Sequence, residues 1–217
     1  MPILHEFLRI FKPTLRRITV LNYSNKKIHS GVIMPSSNIE IKAKLCQEGG
    51  LEQAEKIAAD LSKTGEIHLH LNQKDTFFTV PNGRMKLRQE NDRNVLITYF
   101  RSDTAGPKQS TYSIAPVVEV DKMLETLSRA LGVKGVVEKD RKVYLIEYEK
   151  QPKLTARIHL DAVKNLGDYF EIEVVLPDDS DDAMAQQGQD FTNELLKKFN
   201  IKEDHLIQGA YLDCLDK

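Results

Sequence analysis

Asn38-Ile39-Glu40-Ile41-Lys42-Ala43-Lys44-Leu45 (residues 38–45) alternates polar and apolar side chains without a break. Side chains two apart on a strand share a face. Asn38, Glu40, Lys42 and Lys44 therefore project to one side of this segment, and Ile39, Ile41, Ala43 and Leu45 to the other. The same parity recurs downstream. Lys86, Arg88 and Glu90 alternate against Met85 and Leu87, and Tyr99 falls with Arg101. Lys139 falls with Arg141, then Arg157 with His159 and Asp161, and finally Glu171 and Glu173 alternate against Phe170, Ile172 and Val174. A sheet with one wet face shows such alternation without any function. Two features favour a functional face: cations are paired two apart on several separate strands, and acids gather elsewhere, at Glu40, Asp161, Glu171 and Glu173.

The apolar faces need cover, and the chain supplies helices for it. Leu51–Ser62 has helical periodicity with Leu51, Ala54, Ile57, Ala58 and Leu61 on one face. Val120–Leu131 presents Met123, Leu124, Leu127 and Leu131, and Asp181–Phe199 is a third helix whose acidic start suits the helix dipole. Between and around them lie strand-like runs at 67–80, 84–90, 95–101, 110–117, 136–149, 155–161 and 169–176, with turn signals at Pro81-Asn82-Gly83, Glu90-Asn91-Asp92 and Asn165-Leu166-Gly167-Asp168. A short segment, His205–Leu215, closes the pattern. Many strands joined by short turns, with few helices, predict an antiparallel α+β domain closed into a β-barrel, with the helices packed outside. The charged face is then the interior. A charged interior is costly unless something charged fills it. A polyphosphate with a divalent cation suits, because Arg and Lys bind phosphoryl oxygens and carboxylates hold hard cations.

Composition narrows the classes. Lys plus Arg total 31 against 32 Asp plus Glu in 217 residues, which argues against a general nucleic-acid binder. No apolar run reaches the roughly 20 residues of a membrane span, so no membrane partner is expected. The cysteines, Cys46 and Cys214, fit neither a metal spacing nor a disulfide framework, and a reducing, cytoplasmic setting is expected. Residues 1–37 are basic and acid-poor, with Glu6 as their one acid. They are read as an extension preceding a domain at 38–217. A mitochondrial transit peptide within 1–33, a disordered extension and a working start at Met34 all remain open.

In order along the chain, several motifs resemble the CYTH superfamily, the triphosphate tunnel metalloenzymes. Asn-Ile-Glu-Ile-Lys at 38–42 resembles the family's Glu-x-Glu-x-Lys signature, and Gln-Lys-Asp-Thr-Phe-Phe at 73–78 its second segment. Gly-Arg-Met-Lys-Leu-Arg at 83–88 is similar to the third segment and Glu-Lys-Asp-Arg at 138–141 to a Lys-x-Arg element. Leu-Asp-Ala-Val at 160–163, Leu-Gly-Asp at 166–168 and Phe-Glu-Ile-Glu at 170–173 resemble the closing hairpin, and Gly209-Ala210-Tyr211 with Leu215 the C-terminal segment. The resemblance implies that Glu40, Asp161, Glu171 and Glu173 hold Mg²⁺ or Mn²⁺. It implies that Lys42, Lys86, Arg88, Arg101, Lys139, Arg141 and Arg157 bind a triphosphate, with Lys44 on the same face. Lys42, Glu40, Arg88, Arg141 and Asp161 are the residues expected to carry catalysis. Asn38 stands where the signature has its first Glu.

The implied activity is metal-dependent hydrolysis of inorganic tripolyphosphate, thiamine triphosphate or a nucleoside triphosphate. The alternatives are an adenylate cyclase releasing pyrophosphate and a polyphosphate-binding protein with little turnover. The expected partner is a small-molecule triphosphate, and the protein is expected to be a monomer or homodimer. Some features receive no functional role: His68 and His70 lack a third ligand, Gln73, Asp75 and Thr76 suggest only a strand end, and residues 178–182 lack the spacing of a calcium loop. His159, on the charged face, is weighed as a general base and ranked below a structural role.

Overall fold

A computed structural model describes residues 36–46, 49–91, 93–103, 106–150, 154–177 and 180–215. The expected extension lies outside these residues, except that the first strand already begins at Ser36. In chain order the elements are β1 (Ser36–Lys44), α1 (Gly50–Leu61), β2 (Leu69–Phe78), β3 (Arg84–Glu90), β4 (Arg93–Arg101), β5 (Lys108–Pro116) and α2 (Val120–Leu131). There follow β6 (Val133–Glu147), β7 (Thr155–Val163), β8 (Gly167–Val175), α3 (Asp182–Lys198), a 3₁₀ turn (Glu203–His205) and α4 (Leu212–Leu215). The strands form one closed antiparallel barrel in the order β1-β5-β4-β3-β2-β6-β7-β8.

Closure depends on β1, which pairs with β5 along one edge and β8 along the other. β5 reaches only as far as Lys108, opposite Glu40. Beyond it the free edge of β1 is taken by the C-terminal segment: Leu206 bridges to Ala43, and the Ile207 N–H donates to the Lys42 carbonyl at 3.0 Å. The terminal segment therefore completes the wall as well as ending the chain.

The outer faces are apolar and helix-covered, as parity requires. Ile39, Ile41, Ile158, Phe170, Ile172 and Val174 are fully buried beneath Ala54 and Ala58 of α1, Phe191 and Leu195 of α3, and Phe199, which caps the end of α3. Burying each large aliphatic or aromatic side chain contributes about 1.5–3 kcal/mol. In α3, Gly188 is what permits the close approach: a Cβ there would stand 3.1 Å from Leu176 and 3.2 Å from Ile39. Asp181 caps this helix, accepting from the Met184 N–H at 2.9 Å. α2 covers Phe78 and Leu87 with Met123, Leu124, Leu127 and Leu131, the face that its periodicity predicts.

Two boundaries differ from the periodicity in ways that bear on the site. β6 begins at Val133 instead of 136, because Val133 pairs with Phe78 beyond a register shift. β5 begins at Lys108 instead of 110, which adds an inward-facing lysine.

Candidate active site

With the apolar faces outside, the opposite parity lines the lumen. Ion pairs across non-neighbouring strands establish this, because such strands can meet only through the interior. Arg101 of β4 pairs with Glu40 of β1, and Arg141 of β6 reaches Glu171 of β8 at 2.7 Å. Around them, Lys42 donates to Glu171 at 2.7 Å, and Arg141 grips Asp161 through Nε and Nη2, both at 2.6 Å. Lys139 lies 3.3 Å from Asp161, and Arg157 lies 3.3 Å from Glu173. Lys86 and Arg88 both bind Asp75. Of the expected cations, the structure gathers Lys42, Lys86, Arg88, Arg101, Lys139, Arg141 and Arg157 inside. Lys44 is exposed at the end of β1, apart from this cluster.

The expected quartet of metal carboxylates is not one cluster. Among the described residues, no group of three or more His, Cys, Asp or Glu side chains is placed to hold a metal ion. Asp161 is wholly buried and engaged by Arg141, Lys139 and the Tyr211 hydroxyl, which donates to it at 2.8 Å. It is a counter-charge in this arrangement. Glu171 is likewise held between Lys42 and Arg141. Alternating cation and acid explains how a charged interior is tolerated before any ligand enters: buried charges persist when paired.

The pairing is incomplete, and the lysines register it. Burial, then Arg141, pushes Lys139 down to about 7. Burial and Arg88 lower Lys86 to about 8, and burial and Arg101 lower Lys108 to about 8. The acids move the other way. Burial opposes their ionisation, but Arg88 and Lys86 hold Asp75 well below the carboxylate range, and Lys42 and Arg141 do the same for Glu171. His159 lies 3.5 Å from Glu171 and 3.7 Å from Glu173, and burial, then Arg141, lowers its pKa. The interior thus holds more positive than negative charge, an environment suited to a polyanion.

Three contributors have no role in the sequence analysis. Asp75 shares inward parity with Gln73 and Phe77. Lys108, 4% exposed, donates to the Gln208 carbonyl at 2.7 Å; extending the parity of Ser110 by two residues finds it. Tyr211 enters the lumen from the C-terminal segment, with Lys139 5.0 Å and Lys42 5.8 Å from its ring centre. No local pattern marks Tyr211, although it lies in the C-terminal motif. His70 sits on the outer face, paired with Asp140 at 2.8 Å.

The CYTH domain profile matches residues 36–207, the span that builds this barrel. The chain belongs to the CYTH domain family. A predicted adenylate cyclase of Methanocaldococcus jannaschii is 27% identical over 180 residues, covering 81% of this chain and 96% of that protein. Among solved structures, a predicted adenylate cyclase of Vibrio parahaemolyticus shares the fold with a TM-score of 0.63 at 14% identity, over 84% of this chain and 99% of the other. A predicted adenylyl cyclase of Hippeastrum, whose dominant activity is that of a triphosphatase, aligns with a TM-score of 0.53 at 13% identity, over 80% of this chain and 91% of the other.

CYTH enzymes are generally dependent on divalent metal, and one part of the lumen fits such an ion. Glu40 stands directly opposite Glu173 in the β1–β8 register. The Asn38 amide lies against Glu173, donating at 2.5 Å, while its buried Oδ1 has no hydrogen-bond partner. Two carboxylates beside an unsatisfied amide oxygen make an all-oxygen donor set, the chemistry that Mg²⁺ and Mn²⁺ prefer.

Proposed function

We propose that this CYTH protein is a metal-dependent triphosphatase acting on a small-molecule triphosphate within the barrel. The observation that carries the proposal is the inward array of Lys42, Lys86, Arg88, Arg101, Lys139, Arg141 and Arg157, in which burial and then a neighbouring arginine push Lys86 and Lys139 toward neutrality. A triphosphate supplies an anion, and its oxygens can accept from the guanidinium donors of Arg88 and Arg141 that are not engaged by Asp75, Asp161 and Glu171. A divalent ion held by Glu40, Glu173 and Asn38, when bound, would neutralise phosphoryl charge. Lys139 and Lys86, protonated by the approach of the polyanion, bind its terminal oxygens. Arg141, fixed by Asp161 and Glu171, stabilises charge developing in the transition state without reorganising. A carboxylate of the β1–β8 pair orients the water for in-line attack. Inorganic tripolyphosphate, thiamine triphosphate and nucleoside triphosphates all carry the required group.

The name of the Methanocaldococcus jannaschii relative favours a second reading. In an adenylate cyclase the same cations hold ATP while its ribose 3′-hydroxyl attacks the α-phosphate, releasing pyrophosphate. Incubation with ATP, tripolyphosphate and thiamine triphosphate under Mg²⁺ or Mn²⁺, with product analysis, separates these. Phosphate with ADP from ATP supports hydrolysis, and cyclic AMP with pyrophosphate supports cyclisation. Tight binding without turnover under either metal makes the chain a polyphosphate-binding protein.

A further inference from the structure

Asp75 has no place in the chemistry above, although it lies at the centre of the Gln73–Phe78 motif. It is 3% exposed and stands directly opposite Arg88 in the β2–β3 register. Its Oδ1 accepts from Arg88 Nε at 2.7 Å, and its Oδ2 accepts from Arg88 Nη2 at 2.7 Å and from Lys86 Nζ at 2.9 Å. Both carboxylate oxygens are thereby occupied by cations. The two-point grip fixes the guanidinium plane and leaves Arg88 Nη1 without a partner among the described residues. Lys86 and Arg88 are two apart on one strand, so they repel each other. Arg141 adds to that repulsion from β6, while Tyr99 on β4 and Phe77 on β2 present their rings to the Lys86 ammonium. Lys139, also on β6, faces Asp75.

We propose that Asp75 is a positioning residue for the triphosphate: it clamps Lys86 and Arg88 side by side, so that the free donors of both meet one polyphosphate. This rests on the triphosphate reading above. The carboxylate does not touch the ligand, which it would repel. It acts by cancelling the repulsion between two cations that must stand together and by orienting the Arg88 fork. Lys86, lowered to about 8 by burial and Arg88, is raised by Asp75 through both its charge and its hydrogen bond. Loss of the carboxylate therefore leaves Lys86 deprotonating at lower pH.

The test measures the affinity for inorganic tripolyphosphate with Mg²⁺ by calorimetry, together with KM, kcat and their pH profiles. Asp75→Asn is expected to raise Kd and KM about ten- to a hundredfold, the scale of a misplaced binding group. kcat should change less, and the alkaline limit of binding should move to lower pH. Asp75→Glu keeps the charge but displaces the fork by one methylene. It is expected to raise KM by about three- to tenfold and to keep the wild-type pH profile. Lys139→Met, which removes a crowded cation, is the control for the underlying reading. If Lys139→Met weakens tripolyphosphate binding while Asp75→Asn leaves KM and pH profile at wild-type values, the clamp is overturned and the phosphate site stands. If Lys139→Met binds like wild type, the phosphate site itself falls. Should Asp75→Asn fail to fold, Asp75→Glu decides alone, and a wild-type KM in that variant overturns the clamp.

Discussion

The wall formed by β1, β7 and β8 carries Glu40, Asp161, Glu171 and Glu173 on its inner face, interleaved with Lys42 and Arg157. The wall formed by β2, β3 and β4 carries Lys86, Arg88 and Arg101, with Asp75 as its fully buried acid. One barrel thus presents a face suited to a metal ion opposite a face suited to phosphate. The difference is electrostatic. Both walls alternate charge with apolar residues, and both bury the apolar side outward under helices. Glu40 and Glu173 sit opposite each other on neighbouring strands, and their mutual repulsion is offset by Arg101 on the one and Arg157 on the other. On the other wall, Lys86 and Arg88 share a single acid.

The strongest way to break the comparison is to remove charge from the acidic wall. Glu173→Gln should lower metal-dependent turnover by about a hundredfold or more, the loss of several kcal/mol of metal-mediated stabilisation. The fold should persist, since the amide still hydrogen-bonds Arg157 and Asn38. Wild-type rates at limiting metal would strip this wall of its role.

The cations should then divide by how they are paired. Arg141→Ala leaves the Asp161 and Glu171 carboxylates without their shared guanidinium, and removing one partner of a buried pair costs about 3–5 kcal/mol. It should lower unfolding free energy in denaturant titrations and also raise KM. Lys139→Met should raise KM without that loss, because Lys139 is held against its own charge by burial and Arg141. Equal destabilisation by both variants would mean that the interior is not cation-rich.

Proton linkage gives a smaller effect of definite sign. In the free protein Lys139 falls from 10.5 to about 7, and Lys86 to about 8. At pH 8 Lys139 is then largely neutral. An arriving polyanion favours the charged form, so tripolyphosphate binding should take up protons at pH 8 and progressively fewer as pH falls below 7. Calorimetry in buffers of different ionisation enthalpy measures this, and proton release at pH 8 would contradict it. Without ligand, the cost of holding Lys139 charged is full below its folded value. It fades as pH rises through the window from about 7 to 10.5, so this group makes the apo fold less stable at the acidic end of that window.

The smallest expected effect tests Asn38. Its oxygen lacks a partner and its amide rests on Glu173, so the acidic wall has one charge fewer than the family signature provides. Asn38→Glu should lower the Mg²⁺ concentration for half-maximal rate by about threefold, and wild type should reach that rate at lower Mn²⁺ than Mg²⁺. Superimposable metal titrations of the two proteins would remove Asn38 from the site.

Much of the site is legible because strand parity is a local property. A residue two positions from another on a strand shares its face whatever the strand packs against. Lys86 with Arg88, Lys139 with Arg141 and Glu171 with Glu173 could be assigned to one face from residues 84–90, 136–149 and 169–176 alone. Parity does not report who stands opposite. That Arg141 takes both Asp161, its direct partner in the β6–β7 register, and Glu171, one strand further on, depends on the side-by-side order of β6, β7 and β8. Lys108 was missed because the apolar pattern placed the start of β5 two residues late.

The sequence by itself determined the strand faces, the helix faces that cover them, and the segregation of Lys and Arg from clustered acids, because these follow from periods of 2 and 3.6 along a continuous chain. The tertiary structure decided the pairing of charges, the clamp of Asp75 on Lys86 and Arg88, the entry of Tyr211 into the lumen and the closure of the β1 edge by residues 206–207. Those contacts join residues as far as 165 positions apart, Lys42 with Ile207. They come from strand order and barrel register, which no local period encodes.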